Sequence, residues 1–442
     1  MALLTFKGGV HPYDGKELSK DRPITPCPPK GDLIYPLSQH IGAPALPVVK
    51  KGDRVLAGQK IAEAGGFVSA PVYASVSGIV KSIESHMTPS GNKVDSIVVE
   101  DDGMYEEAAP FPVKPLAEMG RDEMIQLIRE AGVVGLGGAG FPTHVKLSPK
   151  EPDKIDTILV NCAECEPYLA SDYRLMMERP EKIIGGLQVI LSIFDRAAGY
   201  LCIEDNKPEA IEILRKACEN ESRIQVKVLK TKYPQGAERM LIYAATGRKL
   251  NSSMLPADVG CIVDNCDTVC SIYDAVVLGR PLLSRVVTVS GDGVVSPGNF
   301  ECKIGTNVNV ILEAAGGLKE GAEKVIAGGP MMGVAMFDLD VPTVKTTSAI
   351  TCFLHDDVKS SSVTACINCG RCVKACSEGL VPARLSQFAE KGDLESFEKW
   401  HGMECVECGC CSYVCPAKRP LAQMIRNTRR IAMAERKKQG GK

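Results

Sequence analysis

The chain has 442 residues, 45% hydrophobic and 24% charged, with 52 Lys and Arg against 54 Asp and Glu for a formal net charge of −2. That length predicts about three or four domains and excludes a disordered chain, while the balanced charge offers no global field for nucleic acid. Aromatic residues are 5% with a single Trp, which argues against a stacking platform for single strands.

The start of the chain lacks the charged and apolar segments of an export signal, and no apolar run approaches the roughly 18 residues of a spanning helix. A cytoplasmic protein is expected. Residues 1–30 carry Gly8-Gly9 and a cluster of prolines (Pro23, Pro26, Pro28, Pro29), which predicts an extended arm. From Leu33 to about Glu100 come short strand patterns at Pro44–Val49, Gly52–Val55, Gln59–Ala62, Val76–Ile83 and Val94–Val99, and Pro110, Pro112 and Pro115 mark a linker. Asp122–Ala131 has helical spacing. Strands are then predicted at Ile155–Val160, Tyr200–Ile203, Ile224–Leu229 and Cys261–Val263, with helices at Glu181–Ala197, Pro208–Cys218 and Ala237–Thr246. This alternation predicts an α/β domain. Pro208 suits a first helical turn, with Asn206 as its cap. From about Leu283 to Met336 a small module shows a strand at Val286–Ser290, a turn at Gly291–Gly293 and a helix at Asn307–Ala315, closed by Gly328-Gly329-Pro330. A basic helix is predicted from Leu421, since Lys418 to Lys442 holds nine Lys or Arg against one acid, Glu435.

Nineteen cysteines in a reducing compartment point to metal or redox chemistry, not to a disulfide scaffold. Eight form two runs of one spacing: Cys366, Cys369, Cys372 and Cys376, then Cys405, Cys408, Cys411 and Cys415. Three thiolates at i, i+3 and i+6 wrap one face of a cubane, and the fourth, expected to begin an outgoing helix, serves the other cluster. The spacing therefore assigns Cys366, Cys369, Cys372 and Cys415 to one [4Fe–4S] centre, and Cys376, Cys405, Cys408 and Cys411 to the second. Zinc does not need three closely spaced cysteines plus a fourth in each half. Ser377 stands where the second run has Pro416, and Cys410 is a spare thiol beside Cys411. Cys162-x-x-Cys165 is a candidate dithiol, and Cys266 and Cys270 read as buried thiols.

Gly135-Leu136-Gly137-Gly138-Ala139-Gly140 matches G-x-G-x-x-G, but a helix precedes it and Pro142 follows, so it is not a dinucleotide fingerprint. A glycine-rich connector is one reading. A loop whose bare amides approach a phosphate, with Lys146 adding charge, is the other. Gly135 to Lys146 resembles the flavin loop of the FMN- and NADH-binding subunit of respiratory complex I. Asn161–Pro167, Tyr233–Glu238 and Val263–Thr268 resemble three further segments of that family in the same order. The resemblance implies that Gly135, Gly137, Gly138, Gly140, Lys146, Asn161, Tyr233, Gly236, Asn265 and Thr268 border FMN. It implies that Phe141, Glu164, Glu166 and Glu238 lie near the nicotinamide nucleotide; solvated loop carboxylates are the plainer reading of Glu164 and Glu166. Leu136 stands where these relatives carry Arg, and Ala163 where they carry Asp.

Over nearly its whole length, with Phe6–Pro12 in the arm, the chain resembles the C subunit of the Rnf electron-transport complex. Val49–Ala62 with Ala70–Val72 and Ser77–Val80 resembles a biotinyl or lipoyl carrier barrel, but its tip, Glu63–Val68, has no lysine, so a docking module is expected in place of a swinging arm. The module near 286–336 resembles a soluble-ligand-binding β-grasp domain and reads as a spacer. The expected order is arm 1–30, barrel-sandwich hybrid 31–115, FMN/NADH-binding α/β domain 116–280, β-grasp 281–340, helical two-[4Fe–4S] ferredoxin-like domain 341–418 and basic tail 419–442. The resemblance implies electron transfer between NAD(H), FMN and two [4Fe–4S] clusters at the cytoplasmic face of the membrane, coupled elsewhere in the complex to Na⁺ or H⁺ movement. It also implies other complex subunits and, indirectly, ferredoxin as partners, with no acid–base or covalent catalytic residue. A soluble flavin reductase like the cobalamin reductases, and a relay with a vestigial nucleotide site, are the competing readings.

Overall fold

The computed structural model describes residues 3–440; the first two residues of the arm and the last two of the basic tail lie outside it. The barrel is two facing sheets. One is antiparallel, in the order Asp32–Pro36, Lys93–Asp101, Gly78–Met87, Arg54–Val55, and the other joins Leu46–Pro47, Lys60–Glu63 and Val72–Tyr73. Alternating residues of both faces (Leu33, Tyr35, Val55, Ile61, Val99) fill the space between them.

The α/β domain has four parallel strands in the order Ile224–Leu229, Ala198–Glu204, Thr157–Cys162, Cys261–Asn265. The chain winds outward from Thr157–Cys162 and then crosses to its other side. The order therefore reverses between Thr157–Cys162 and Cys261–Asn265, and the carboxyl ends of those two strands open the crevice where such folds bind ligands. The apolar run of the central strand Thr157–Cys162, buried almost throughout, suits burial under helices on both faces, whereas the edge strand Ile224–Leu229 alternates with polar residues. Three helices lie beyond the predicted set, the short Thr143–Lys146, Ser171–Glu178 and Cys266–Val276. Pro208 does start its helix, but the cap position is Lys207, which makes no side-chain cap bond. Asn206 instead accepts from the Lys207 ammonium at 2.9 Å.

The β-grasp sheet has six strands in the order Ile24–Cys27, Gly298–Lys303, Ser284–Ser290, Ala349–Phe353, Lys324–Ala327, Val334–Ala335. The extended arm lends Ile24–Cys27, paired parallel to Gly298–Lys303, a pairing the sequence did not announce. One expectation is corrected here. The sheet runs past 340, because Ala349–Phe353 is a buried apolar strand inside it. Beyond it the chain is helical, ending in Leu421–Gly440.

Candidate cofactor sites

The glycine loop is pinned at its base. The Gly135 amide donates to the Phe141 carbonyl at 2.8 Å. The Leu136 amide donates to Thr268 Oγ1 at 2.9 Å, and its carbonyl accepts from the buried Arg285 guanidinium of the β-grasp module at 3.4 Å, itself paired with Asp267 at 3.1 Å. The Leu136 side chain packs among Ala70, Val134, Leu282 and Ile304, so an apolar residue here cements three domains. Gly137 and Gly138 are left exposed on the loop's crest, whereas Gly140 is buried against Gln39 and His40. The barrel tip docks just behind the loop: His144 shares a hydrogen bond with the Phe67 carbonyl at 2.9 Å, with the two rings edge to face.

Around the crevice most predicted residues are brought together, but several are engaged in holding loops. The Asn161 amide donates to the Gly236 carbonyl at 2.8 Å. Asn265 caps the Cys266–Val276 helix and donates to Asp172 at 2.7 Å. Lys146 donates to the Val263 carbonyl at 2.8 Å and pairs with Asp264 at 3.4 Å. The solvated reading of the loop acids fails. Glu164 is buried and accepts from the Asp172 and Tyr173 amides at 2.7 and 3.3 Å. Glu166 accepts from the Met331 and Met332 amides at 2.7 and 3.1 Å, so the β-grasp module grips this loop and is more than a spacer. Burial raises the carboxyls of Glu166 and Glu238 above the ordinary range; the two amides oppose it at Glu166 and Lys146 opposes it at Glu238. Asp172, which the sequence reading missed because the helix that carries it was not predicted, is pushed up to about 7 by burial and by the nearby Glu164 and Asp267. Cys165 accepts from the Gly236 amide at 3.2 Å, and Cys162 is buried in the core with Cys266. Both cysteines are free thiols.

Four of the buried polar atoms without a protein partner lie on the crevice loops: the Tyr233 hydroxyl, both amide atoms of Gln235, and Asp264 Oδ2. Such atoms are costly unless a ligand or water completes them. Beside a loop of bare amides and Lys146, this donor and acceptor set fits the amide-rich ring and phosphate of FMN.

The cysteines ring two cavities. Cys376, Cys405, Cys408 and Cys411 line one; Cys366, Cys369, Cys372 and Cys415 line another. Each set takes three thiols from one run and the fourth from the other. Among the described residues no three His, Cys, Asp or Glu side chains converge on a single ion. Four thiols spread around a cavity fit a cubane better than a zinc ion, whose sulfurs must all lie about 2.3 Å from one point. One expectation is corrected: the fourth cysteine ends a helix instead of beginning one. Arg371–Ala375 and Cys410–Tyr413 precede Cys376 and Cys415, each launched from a left-handed glycine, Gly370 or Gly409. The three residues between third and fourth cysteines are one helical turn, and the outgoing helices wait for Pro382 and Leu421. The spare Cys410 turns its thiol to the Tyr233 carbonyl at 3.8 Å.

The first cavity adjoins the flavin-type domain. Val10, Tyr233, Ala375 and Cys410 form one buried cluster, with Cys165 and Cys408 against it. Arg239 bridges to Glu404 at 3.0 Å and Glu378 at 3.6 Å. The Gly9 amide donates to the Ala375 carbonyl at 3.0 Å.

Comparison with known proteins follows this architecture. Residues 4–104 match the RnfC barrel sandwich hybrid domain, 128–274 the Nuo51 FMN-binding domain, 286–335 the SLBB domain and 365–418 the 4Fe-4S dicluster domain. The C subunit of the proton-translocating ferredoxin:NAD(+) oxidoreductase complex of Clostridium ljungdahlii is 46% identical over 96% of this chain and 93% of its own length. The Na(+)-translocating counterpart of Acetobacterium woodii is 43% identical over 98% of both chains. Among solved structures, an NAD+-reducing [NiFe]-hydrogenase in the H2-reduced state shares the fold at TM-score 0.51 and 18% identity, over 73% of this chain and 62% of that one. The cofactors are accordingly FMN and [4Fe–4S] clusters, with NAD(H) as the nucleotide. The chain belongs to the family of C subunits of ion-translocating ferredoxin:NAD(+) oxidoreductase complexes.

Proposed function

We propose that the crevice of the α/β domain holds FMN and NAD(H) and exchanges electrons with two [4Fe–4S] clusters held by the two crossed cysteine sets, at the cytoplasmic face of the membrane complex. The observation that carries this reading is a shared wall. The Tyr233–Gly236 loop has unpartnered buried polar atoms in the α/β domain, and it lies against the cavity lined by Cys376, Cys405, Cys408 and Cys411. A bound flavin takes a hydride pair and gives electrons one at a time, which is what iron–sulfur centres accept.

The residues of this chain bind and orient. The crest at Gly137 and Gly138 and Lys146 face the phosphate; Tyr233 and Gln235 line the ring site. Asn161, Asn265 and Thr268 hold the loops that carry these contacts. Phe141, Glu164, Glu166 and Glu238 flank the nucleotide. In this reading the domains follow the expected order, with the β-grasp sheet extended to Phe353. No described helix is long and apolar enough to cross a membrane, so ion movement falls to other subunits. Anaerobic protein reconstituted with FMN, iron and sulfide should be reduced by NADH with bleaching of the cluster absorbance. Reconstituted protein that binds no FMN would overturn the reading in favour of a simple relay.

A further inference from the structure

The arm reaches the nucleotide side of the crevice through one buried cation. Lys16 sits in a single helical turn, Lys16–Leu18. Its ammonium donates to the Leu169 carbonyl at 2.5 Å and the Glu166 carbonyl at 3.1 Å, and it pairs with Glu164 at 3.4 Å. The side chains of both ions are almost fully buried, 8% and 2% exposed. The neighbouring arm residues reinforce the grip. The Asp14 carbonyl accepts from the Tyr168 amide at 2.6 Å, and the Tyr168 ring lies so close over Gly15 that a Cβ there would come within 2.4 Å of it.

The loop being held is strained. Glu164 and Tyr168, neither of them glycine, both have left-handed backbones, φ 46° and 68°, a conformation that persists only where the surroundings impose it. Lys207 clamps the loop's start, donating to the Ala163 carbonyl at 2.6 Å. Lys16 clamps the remainder. Its three acceptors belong to residues 164, 166 and 169, so one ammonium sets the path of the whole turn.

We infer that Lys16 is a positioning residue for the NAD(H) site, and that the N-terminal arm is therefore part of that site and not merely a packing strap. The inference rests on the reading above that the Glu164–Glu166 loop meets the nucleotide. Lys16 touches no reacting atom; it acts through the loop. Lys16 donates no hydrogen bond to the glycine loop or to the Tyr233–Gly236 turn, so flavin and iron content are expected to hold when it is replaced.

The test first asks whether wild-type protein, reconstituted anaerobically, is reduced by NADH; if it is not, the functional reading fails and takes this inference down with it. Given that activity, Lys16→Met is compared with ferricyanide as acceptor. The expected result is an NADH KM raised about tenfold or more, with kcat moved less than about twofold and FMN and iron unchanged. Lys16→Arg should recover part of the loss. A wild-type KM in Lys16→Met, whatever its melting temperature, overturns the inference. If Lys16→Met does not fold, hydrogen exchange on the wild type decides. NADH should slow exchange at the Lys16 and Tyr168 amides, and unchanged rates there overturn the inference equally.

Discussion

Two cysteine runs of identical spacing sit in unlike surroundings. The set of Cys376, Cys405, Cys408 and Cys411 is walled in by the arm, the Tyr233 turn and the Arg239 bridges. The set of Cys366, Cys369, Cys372 and Cys415 keeps Cys369 exposed, beside exposed Ile367 and Val363. Spacing dictates how thiols are shared between the two sets, while neighbours dictate how far each set is enclosed. The enclosed set lies against the flavin-type domain, and in the proposed reading it is the first to take electrons from the flavin.

Removing one ligand from each run is the most severe way to break this contrast. Cys405→Ser and Cys369→Ser should each lose roughly half the iron, one cluster of two. Cys405→Ser should also abolish bleaching of the remaining cluster by NADH, and Cys369→Ser should leave the enclosed cluster reducible. Metal analysis with anaerobic absorbance reads both, and equal behaviour of the two variants would erase the distinction. Arg239→Ala comes next. It strips Glu378 and Glu404 of their shared cation in a part-buried interface, which should cost about 2 kcal/mol. It should also slow cluster reduction while flavin reduction by NADH proceeds, as stopped-flow traces at the two wavelengths would show.

Lys345 supplies a control far from both runs. Its buried ammonium donates to the Pro71 and Gly132 carbonyls at 2.6 and 2.8 Å, and burial pushes it down to about 7 from an ordinary 10.5. Between those values the unfolded chain binds the extra proton, so stability should rise with pH across that window, by at most about 1.4 kcal/mol per unit, and be independent of this group below it. Lys345→Met should flatten that slope in denaturant titrations at pH 7 to 9 without altering either cluster spectrum. The smallest effect is expected for Cys410→Ala. The buried thiol spends its hydrogen bond on the Tyr233 carbonyl, so iron content should stay at the wild-type level, with about 1 kcal/mol lost. Loss of iron would promote Cys410 to a ligand.

Elements with strong local signals were legible: the cysteine spacing, the Ile224–Leu229 strand, and the amphipathic helix from Arg121 to Glu130. Misread features depended on partners distant in the chain. Nothing local in Ile24–Cys27, which contains Pro26, announces a strand; its pairing with Gly298–Lys303 makes it one. The same holds at the candidate site. The resemblance gathered the loops that meet at the crevice, but whether a residue faces the crevice or secures a neighbour is decided by tertiary contacts. Thr268 under Leu136 and Glu166 beneath the Met331 amide are both of the securing kind.

The parallel pairing of Ile24 with Asn299 constrains how the chain is born. A ribosome must deliver nearly three hundred residues before that segment meets its neighbour, so the emerging terminus waits unpaired while the barrel and the α/β unit mature. A fragment covering only 281–355 would begin life with a bare sheet border, open to self-association.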